Sequence, residues 1–374
     1  MAELEGEQAH AALARLRRRA PVCWVPELGA WLVTGYAAAS AALDDPARFT
    51  VEDPRFTTAR VIGPSMLSLD GGSHRRHRSA FAYPLQPGQL RSRLSGFVEA
   101  ESARLTEAIR PAGHAELRTE LAGPLAVAVM AEALGLAGVG LSPETVLGWY
   151  QDIAAAVAAL PVDPPGGPAG RVTVGSFTAL EAGLRQAIAA GQAPLLAGAA
   201  EDGMLTADEV VSNAALELFG GVETAEAMTC NALLCLIGAP ETAEQARGDP
   251  ALAPAALEES LRLEPASAVV YRYAAAGVVL EGASIRRGDP VIVSIAGANR
   301  DPGIFPDPDH YDIRRPNASR HLSFARGPHF CLGAPLARLE GVAAVRAVLA
   351  GLPGLRFAAA PQGPPASYSG GPRR

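Results

Sequence analysis

The sequence predicts a mainly α-helical globular protein with a small β-rich part. Apolar residues recur at helical spacing from about Gln89 to about Ala246, and short β-like runs are few. Of the 374 residues, 49% are hydrophobic and 19% are charged, which is enough apolar material for a large core and too little charge for disorder. We expect one domain over residues 1–374, because helical patterns flank the one Pro/Gly-rich stretch, residues 161–170.

The order of the elements follows from local patterns. After a first helix, VCWVPELGAWLVTGY predicts two short strands around a turn, and AAASAALDDPARF predicts a return to helix. The long helical region is broken at Pro111-Ala112-Gly113, and the last helical group before the next strands ends at Leu263. In VVLEGASIRRGDPVIVSIA, turns separate short β-like runs. The final PQGPPASYSGGPRR is expected to be only loosely attached.

Composition and charge exclude several kinds of partner and chemistry. A formal net charge of −7 gives no general basic surface for nucleic acid or an anionic membrane. The sequence contains no lysine, which excludes Schiff-base chemistry and a phosphate-loop lysine. The N-terminus lacks a signal-peptide core, and no stretch is long and apolar enough to span a bilayer. We therefore expect a cytoplasmic protein without a membrane anchor.

The most unusual local pattern is FARGPHFCLGAPLARLE, in which Cys331 precedes a helix-like run. Gly327 and Gly333 bracket this cysteine, which suits a backbone that must pass close to a bulky flat group. Pro335 fits the first turn of the helix. Cys331 would lie at the positive helix end, which favours the thiolate that binds metals. An isolated cysteine is more often simply buried, but the flanking residues favour the metal-binding role.

Phe324, Gly327, His329, Cys331 and Gly333 form the pattern Phe-x-x-Gly-x-His-x-Cys-x-Gly. This pattern resembles the haem-binding signature of the cytochrome P450 superfamily. The resemblance implies that the Cys331 thiolate is the proximal iron ligand of haem b (iron protoporphyrin IX) and that His329 contacts a propionate. It also implies a large helical lobe and a small β-rich lobe, with the haem between a central distal helix and the helix after the cysteine loop.

Other segments resemble further marks of the same family. Glu259 and Arg262 match its Glu-x-x-Arg helix, a structural pair that normally locks to an arginine or histidine further along the chain. The alternative is an ordinary i,i+3 surface pair. His74 and Arg78 are four residues apart and share a helix face, and the resemblance implies that they and Arg272 bind the propionates. For His74 and Arg78 the alternative is a solvated basic patch.

The segment LELFGGVETAEA resembles the central distal helix of the family. Glu223 and Thr224 match its catalytic acid–alcohol pair, which delivers protons when O2 is cleaved. Paired glycines cost a helix roughly 1 kcal/mol each relative to alanine. Gly220 and Gly221 are therefore predicted to leave ligand space beside the iron, and close helix–helix packing is the alternative.

The sequence departs from the family pattern in three places. Ala225 replaces a second threonine, and Ala325 stands where the family often has glycine, which would stiffen the cysteine loop. The sequence also ends with SYSGGPRR, where relatives usually continue into another strand, so it does not predict the far wall of the pocket.

The substrate pocket is predicted from positions beside these motifs. Residues one helical turn before Gly220 and Glu223 should share their side of the helix, and segments before His74 and after Arg262 should join them. The predicted lining is Met66, Leu67, Leu216, Phe219, Gly220, Ala268 and Val269. Because this lining is apolar, we expect a hydrophobic small-molecule substrate, an intermediate of bacterial specialised metabolism.

The resemblance implies a monooxygenase that inserts one oxygen atom of O2 into a C–H bond. The sequence has no flavin or iron–sulfur motif, so we expect electrons from a ferredoxin and an NAD(P)H-dependent ferredoxin reductase. Arg76 and Arg326 are predicted to form the ferredoxin-docking face of a monomer. Peroxide-driven oxidation, desaturation, ring coupling and decarboxylation are alternatives, as is a non-catalytic haem sensor or carrier.

Overall fold

A computed structural model describes residues 8–56, 58–159, 174–193, 195, 196, 199 and 203–358. The Pro/Gly-rich stretch at 161–170 and the C-terminal segment 361–374 lie outside the described residues. The predicted fold class is confirmed, because helices form most of the described chain and the strands form one small sheet and a separate hairpin.

Helices build the larger lobe. In chain order they are α1 (Ala9–Arg19), α2 (Tyr36–Asp44), α3 (Thr58–Ile62), α4 (Gly71–Ala82), α5 (Pro87–Ile109), α6 (Gly123–Ala133), α7 (Pro143–Ala158), α8 (Gly175–Ala189), α9 (Ala207–Gly238), α10 (Pro240–Gly248), α11 (Ala253–Leu263), α12 (Ile295–Ala298) and α13 (Ala334–Gly351). Among the described residues, no single helix is both long and apolar enough to cross a membrane; α9 and α10 pass that test only together, with a bend of 107° between them.

The strands form the smaller lobe. They are β1 (Val22–Val25), β2 (Ala30–Val33), β3 (Phe49–Thr50), β4 (Val269–Ala274), β5 (Val278–Leu280), β6 (Ala283–Ile285) and β7 (Pro290–Ser294). The five-stranded sheet has the order β1-β2-β7-β4-β3, in which only β2 and β7 pair in parallel, and β5 pairs with β6. The predicted strands around the first turn and after Leu263 are thus present.

The 32-residue helix α9 runs through the centre of the helical lobe and packs against α6, α11 and α13. It begins at a capping box, in which Glu209 N donates to Thr206 Oγ1 at 3.3 Å and Thr206 N donates to Glu209 Oε2 at 2.9 Å. Such a reciprocal cap satisfies two of the free N–H groups at a helix start. Helix α13, which follows the cysteine loop, packs against α5 as well as α9. The fold therefore places the cysteine helix and the central helix in contact.

A buried ion pair ties α11 to the segment before the cysteine loop. Arg262 Nη2 and Nε donate to the two oxygens of Glu259 at 2.7 and 2.9 Å, and Arg315 Nε donates to Glu259 Oε1 at 2.9 Å. Arg262 also donates to three main-chain carbonyl groups within residues 299–310. Both members of the pair are fully buried, which excludes the surface-pair alternative.

Candidate active site

The cysteine loop is closed by its own backbone. Cys331 N donates to the carbonyl oxygen of Phe324 at 2.8 Å, and α13 begins three residues later with Pro335 in its first turn. Ala325 has a φ of 56° and Gly327 has a φ of 69°, so both lie in the left-handed region. A residue with a Cβ pays roughly 1–2 kcal/mol there. The loop therefore carries backbone strain at Ala325.

The two bracketing glycines differ in their contacts within the protein. A Cβ on Gly327 would lie 2.6 Å from the carbonyl oxygen of Leu43, so this glycine is needed where the loop touches α2. Gly333 has a φ of −78°, and the nearest atom to a Cβ placed there is Cys331 Sγ at 3.9 Å. Within the protein, only Gly327 is sterically required.

Substitutions at Ala325 and at Gly327 should change the free energy of unfolding in opposite directions. Ala325→Gly is expected to raise the free energy of unfolding by about 1 kcal/mol, because it relieves the left-handed strain at some cost in chain entropy. Gly327→Ala is expected to lower it by roughly 2–5 kcal/mol through strain and the contact with Leu43. Thermal and denaturant unfolding of the holoprotein measure both. A destabilising Ala325→Gly would contradict the loop geometry.

The surroundings of Cys331 disfavour the charged thiolate form, although the residue lies at the start of a helix. The side chain is accessible, yet protein surrounds it closely enough that burial raises the pKa of the thiol. The N–H groups of Gly333 and Ala334 and the charges of Arg78 and Arg338 act in the opposite direction. The helix start therefore favours the thiolate as predicted in direction, but desolvation of the thiol outweighs this effect. A metal cation at the sulfur would reverse that balance.

The side chain of Phe324 braces the loop from the other side. The Arg338 guanidinium lies 4.5 Å from the centre of the Phe324 ring, and Arg338 is bonded to Glu258 of α11. Glu258 also contacts His321 Nε2 at 3.2 Å. Burial would raise the pKa of Glu258, but His321 and Arg338 lower it to about 2. The cysteine loop is thus bound to both α11 and α13.

Asp70, just before α4, joins the loop to the predicted propionate site. His329 Nε2 lies 2.7 Å from Asp70 Oδ1, and the ring centres of His329 and His74 are 4.3 Å apart. Asp70 also accepts hydrogen bonds from Thr50 Oγ1 at 2.6 Å and Val51 N at 3.0 Å. Burial would raise the pKa of Asp70, but these bonds, led by that from His329, lower it to about 2. Sequence analysis missed Asp70, whose position before a helix is typical of an ordinary cap.

Three further basic side chains, His74, Arg78 and Arg272, lie near Asp70, His329 or Cys331. Burial lowers the pKa of His74 to about 4, assisted by the charges of His329 and Arg78, and His74 Nε2 is buried without a hydrogen-bond partner. Burial also lowers the pKa of Arg272 to about 10, and the negative charge of Asp70 opposes that shift. Arg78 is half-buried, and its charge acts on Cys331. Three basic groups near Asp70, together with Arg78 near His74 and Cys331, suit a ligand with anionic groups.

One face of α9 is open. Gly220 and Thr224 are exposed although most of the neighbouring helix is buried, and no atom lies within 4 Å of a Cβ placed on Gly220. The Thr224 hydroxyl donates to the Gly220 carbonyl one turn earlier. A Cβ on Gly221 would instead lie 2.5 Å from Met130 Sδ of α6. The space beside Gly220 is therefore open, whereas Gly221 serves close helix–helix packing.

The Glu223 carboxylate of α9 accepts a hydrogen bond from a residue of α7. Tyr150 of α7 is buried, and its hydroxyl donates to Glu223 Oε2 at 2.6 Å. Burial and Glu223 together raise the pKa of Tyr150. The Tyr150 ring also lies 6.1 Å, centre to centre, from that of Phe219. Sequence analysis missed Tyr150, since nothing in its local pattern distinguishes it from a core tyrosine.

The predicted pocket residues divide between two apolar clusters. Met66, Leu67, Leu216 and Phe219 belong to or pack against one cluster of the helical lobe. Met66 N donates to Asn213 Oδ1 of α9 at 2.9 Å. By contrast, Ala268 and Val269 pack with α1 and the sheet. Strand β4 begins at Val269 and carries this segment into the core of the smaller lobe, so a wall shared by all seven residues stays a prediction.

The chemistry of these groups suits a metal that brings its own ligands. Within the described residues, no three His, Cys, Asp or Glu side chains cluster to hold an ion, so a cation at Cys331 needs other donors. Haem supplies four ring nitrogens to its iron and carries two propionates. The accessible thiol, the basic groups around Asp70, the unpaired His74 Nε2 and the space beside Gly220 therefore fit haem.

Comparisons with known proteins agree with this arrangement. The family model for cytochrome P450 matches residues 190–350. The cytochrome P450 monooxygenase PikC of Streptomyces venezuelae is 34% identical over 367 residues, covering 93% of this chain and 85% of PikC. The 6-deoxyerythronolide B hydroxylase of Saccharopolyspora erythraea is 31% identical over 386 residues, covering 94% of this chain and 92% of that enzyme.

Among solved structures, CalO2 superimposes with a TM-score of 0.82 at 29% identity, covering 94% of this chain and 89% of CalO2. The similarity to full-length relatives, added to the cysteine loop and the open face of α9, shows that the chain belongs to the cytochrome P450 superfamily, the haem-containing monooxygenases.

Proposed function

We propose that this enzyme inserts one oxygen atom of O2 into a hydrophobic small molecule, an intermediate of bacterial specialised metabolism. The observation that carries this proposal is the intact acid–alcohol pair, with Thr224 on the open face of α9 and Glu223 next to it. The names of two relatives, a monooxygenase and a hydroxylase of a deoxyerythronolide, support it. The apolar surroundings of Met66, Leu216 and Phe219 support a hydrophobic substrate.

The residues of the candidate site form two groups: those that would hold the cofactor and those that would deliver protons. Haem b bound through the Cys331 thiolate would supply the O2-activating chemistry. His74, Arg78, Arg272 and His329 would hold its propionates by charge and hydrogen bonds.

Thr224 and Glu223 would move protons from solvent to the open face of α9. The Thr224 hydroxyl donates to the Gly220 carbonyl, so its oxygen can accept a proton from one side while its hydrogen turns to the other. Tyr150 holds Glu223 next to Thr224, which keeps the carboxylate in place between turnovers.

Electrons would come from a ferredoxin and an NAD(P)H-dependent ferredoxin reductase. Both arginines predicted to dock the ferredoxin have partners inside the protein: Arg326 Nε donates to Asp44 at 2.6 Å, and Arg76 Nη1 donates to Glu209 at 2.9 Å. Arg326 remains 50% exposed, so it can still contact an acidic surface. Its pairing with Asp44 reduces the charge available for steering.

Thr224→Ala tests the proposed reaction. The variant should bind haem and substrate normally and still consume NAD(P)H. It should form roughly 100-fold less product per NAD(P)H, the low end for loss of a proton-transfer group. The missing electrons should appear as hydrogen peroxide. Product, hydrogen peroxide and NAD(P)H are measured together, first with the hydrophobic compounds that shift the ferric spin state.

Thr224→Ser is the matched control, because it keeps the hydroxyl and should retain most of the coupling. Unchanged coupling in Thr224→Ala would remove the O2-activating role of this pair. The assignment would then move to peroxide-driven or non-oxygenating chemistry.

A further inference from the structure

Glu217, in the middle of α9, is a buried carboxylic acid that the proposed reaction does not use. The residue as a whole is half-buried, yet both carboxyl oxygens are enclosed and neither has a hydrogen-bond partner. Burial alone raises the pKa of Glu217 to about 8, with no contribution from a neighbouring charge. Nearly all buried polar groups in folded proteins are paired, and an unpaired carboxylate is among the costliest to bury. This acid therefore lacks a partner within the protein.

The position of Glu217 places it on the open face of α9. It lies three residues before Gly220 and seven before Thr224, so the three share one side of the helix. One turn earlier, Asn213 accepts the hydrogen bond from Met66 N. Glu217 thus lies between the Met66 contact and the accessible surface formed by Gly220 and Thr224.

A role in proton delivery does not fit this position. Seven helical residues separate Glu217 from Thr224, a rise of about 10 Å along the axis, which is too far for direct transfer. Glu223 already supplies an acid next to Thr224 and is held there by Tyr150. Glu217 therefore lies on α9 about one turn before Gly220, away from the proton-delivering pair.

We propose that Glu217 binds a protonated amine of the substrate, so that the enzyme selects hydrophobic molecules carrying a basic nitrogen. The inference rests on the proposed function, because it treats the open face of α9 as the substrate pocket. The apolar residues Met66, Leu67 and Leu216, which belong to or pack against one cluster of the helical lobe, offer no hydrogen-bonding side chain, and an ammonium group supplies both the charge and the donor that Glu217 lacks. A site built to pair a polar group strongly rejects an analogue without it.

Binding of a matched pair of probes to the holoprotein tests this inference. The probes are N,N-dimethyldecylamine, which is protonated at neutral pH, and its carbon isostere, in which CH replaces the nitrogen. Dissociation constants come from equilibrium dialysis. The wild type should bind the amine roughly 10- to 100-fold more tightly than the isostere, the range for a hydrogen bond to a charged group.

Glu217→Gln should remove this preference and leave the binding of the isostere unchanged. Glu217→Leu should also remove the preference, and it should raise the thermal midpoint, because it replaces an unpaired buried polar group with an apolar one, whereas loss of a structural contact would lower the midpoint. Glu340→Gln is the matched control: Glu340 of α13 is also buried, has an unpaired Oε1 and has a pKa raised by burial to about 8. That control should keep the amine preference.

Equal binding of the two probes by the wild type, or a preference that survives in Glu217→Gln and Glu217→Leu, would overturn the inference. Since dialysis needs no turnover, either result leaves the Thr224→Ala coupling experiment intact. Failure of that experiment would in turn leave the measured amine preference unaffected.

Discussion

Cys331→Ala is expected to abolish the thiolate-type Soret band of the reduced carbonyl adduct and, with it, all product formation. Cys331 is the only exposed cysteine of the described residues; Cys23, Cys230 and Cys235 are half-buried. Its surroundings are positive, because Arg78 is near and α13 begins just after it. No other described thiol combines accessibility with positive surroundings, so removal of this one leaves iron without a sulfur ligand.

The measurement is the carbonyl difference spectrum of the reduced protein, combined with its haem content. Cys230→Ala is the matched control, since burial raises the pKa of that thiol to about 12 and its removal should leave the spectrum unchanged. A thiolate spectrum that persists in Cys331→Ala would show that a different cysteine binds the iron.

Glu259→Gln should cause the largest loss of stability. The substitution leaves the Arg262 guanidinium in a fully buried site with its charge uncompensated, and it also weakens the bond from Arg315. Breaking one side of a buried pair typically costs about 3–5 kcal/mol, because the remaining charge cannot return to water. We expect a loss of this size in the free energy of unfolding, measured by denaturant titration of the holoprotein.

Glu107→Gln provides the comparison. Glu107 and Arg110 form a pair with the same i,i+3 spacing, but their side chains are 61% and 58% exposed. Exposed pairs contribute about 0–1 kcal/mol, so the control should be nearly neutral. If the two substitutions cost the same, burial would not be the source of the effect at Glu259.

Several features of this protein were determined by the sequence itself. Helical spacing and the glycine and proline turns predict the order of elements, including the end of α11 at Leu263 and the strands that follow. The spacing of Phe324, His329 and Cys331 was sufficient to indicate the family. These features depend on residues close together in the chain, where periodicity and backbone dihedral preferences act directly.

Other features depend on segments that only the fold brings together. Tyr150 reaches Glu223 across 73 residues, and Asp70 reaches His329 across 259. Gly220 and Gly221 look alike in the sequence, but Met130 packs only against the second. Ala268 and Val269, predicted to line the pocket, pack with α1 and the sheet, and the pairing of β4 with β7 fixes the position of Val269. Burial and hydrogen-bond partners arise from packing between distant segments, and packing also leaves Glu217 unpaired and raises the thiol pKa of Cys331.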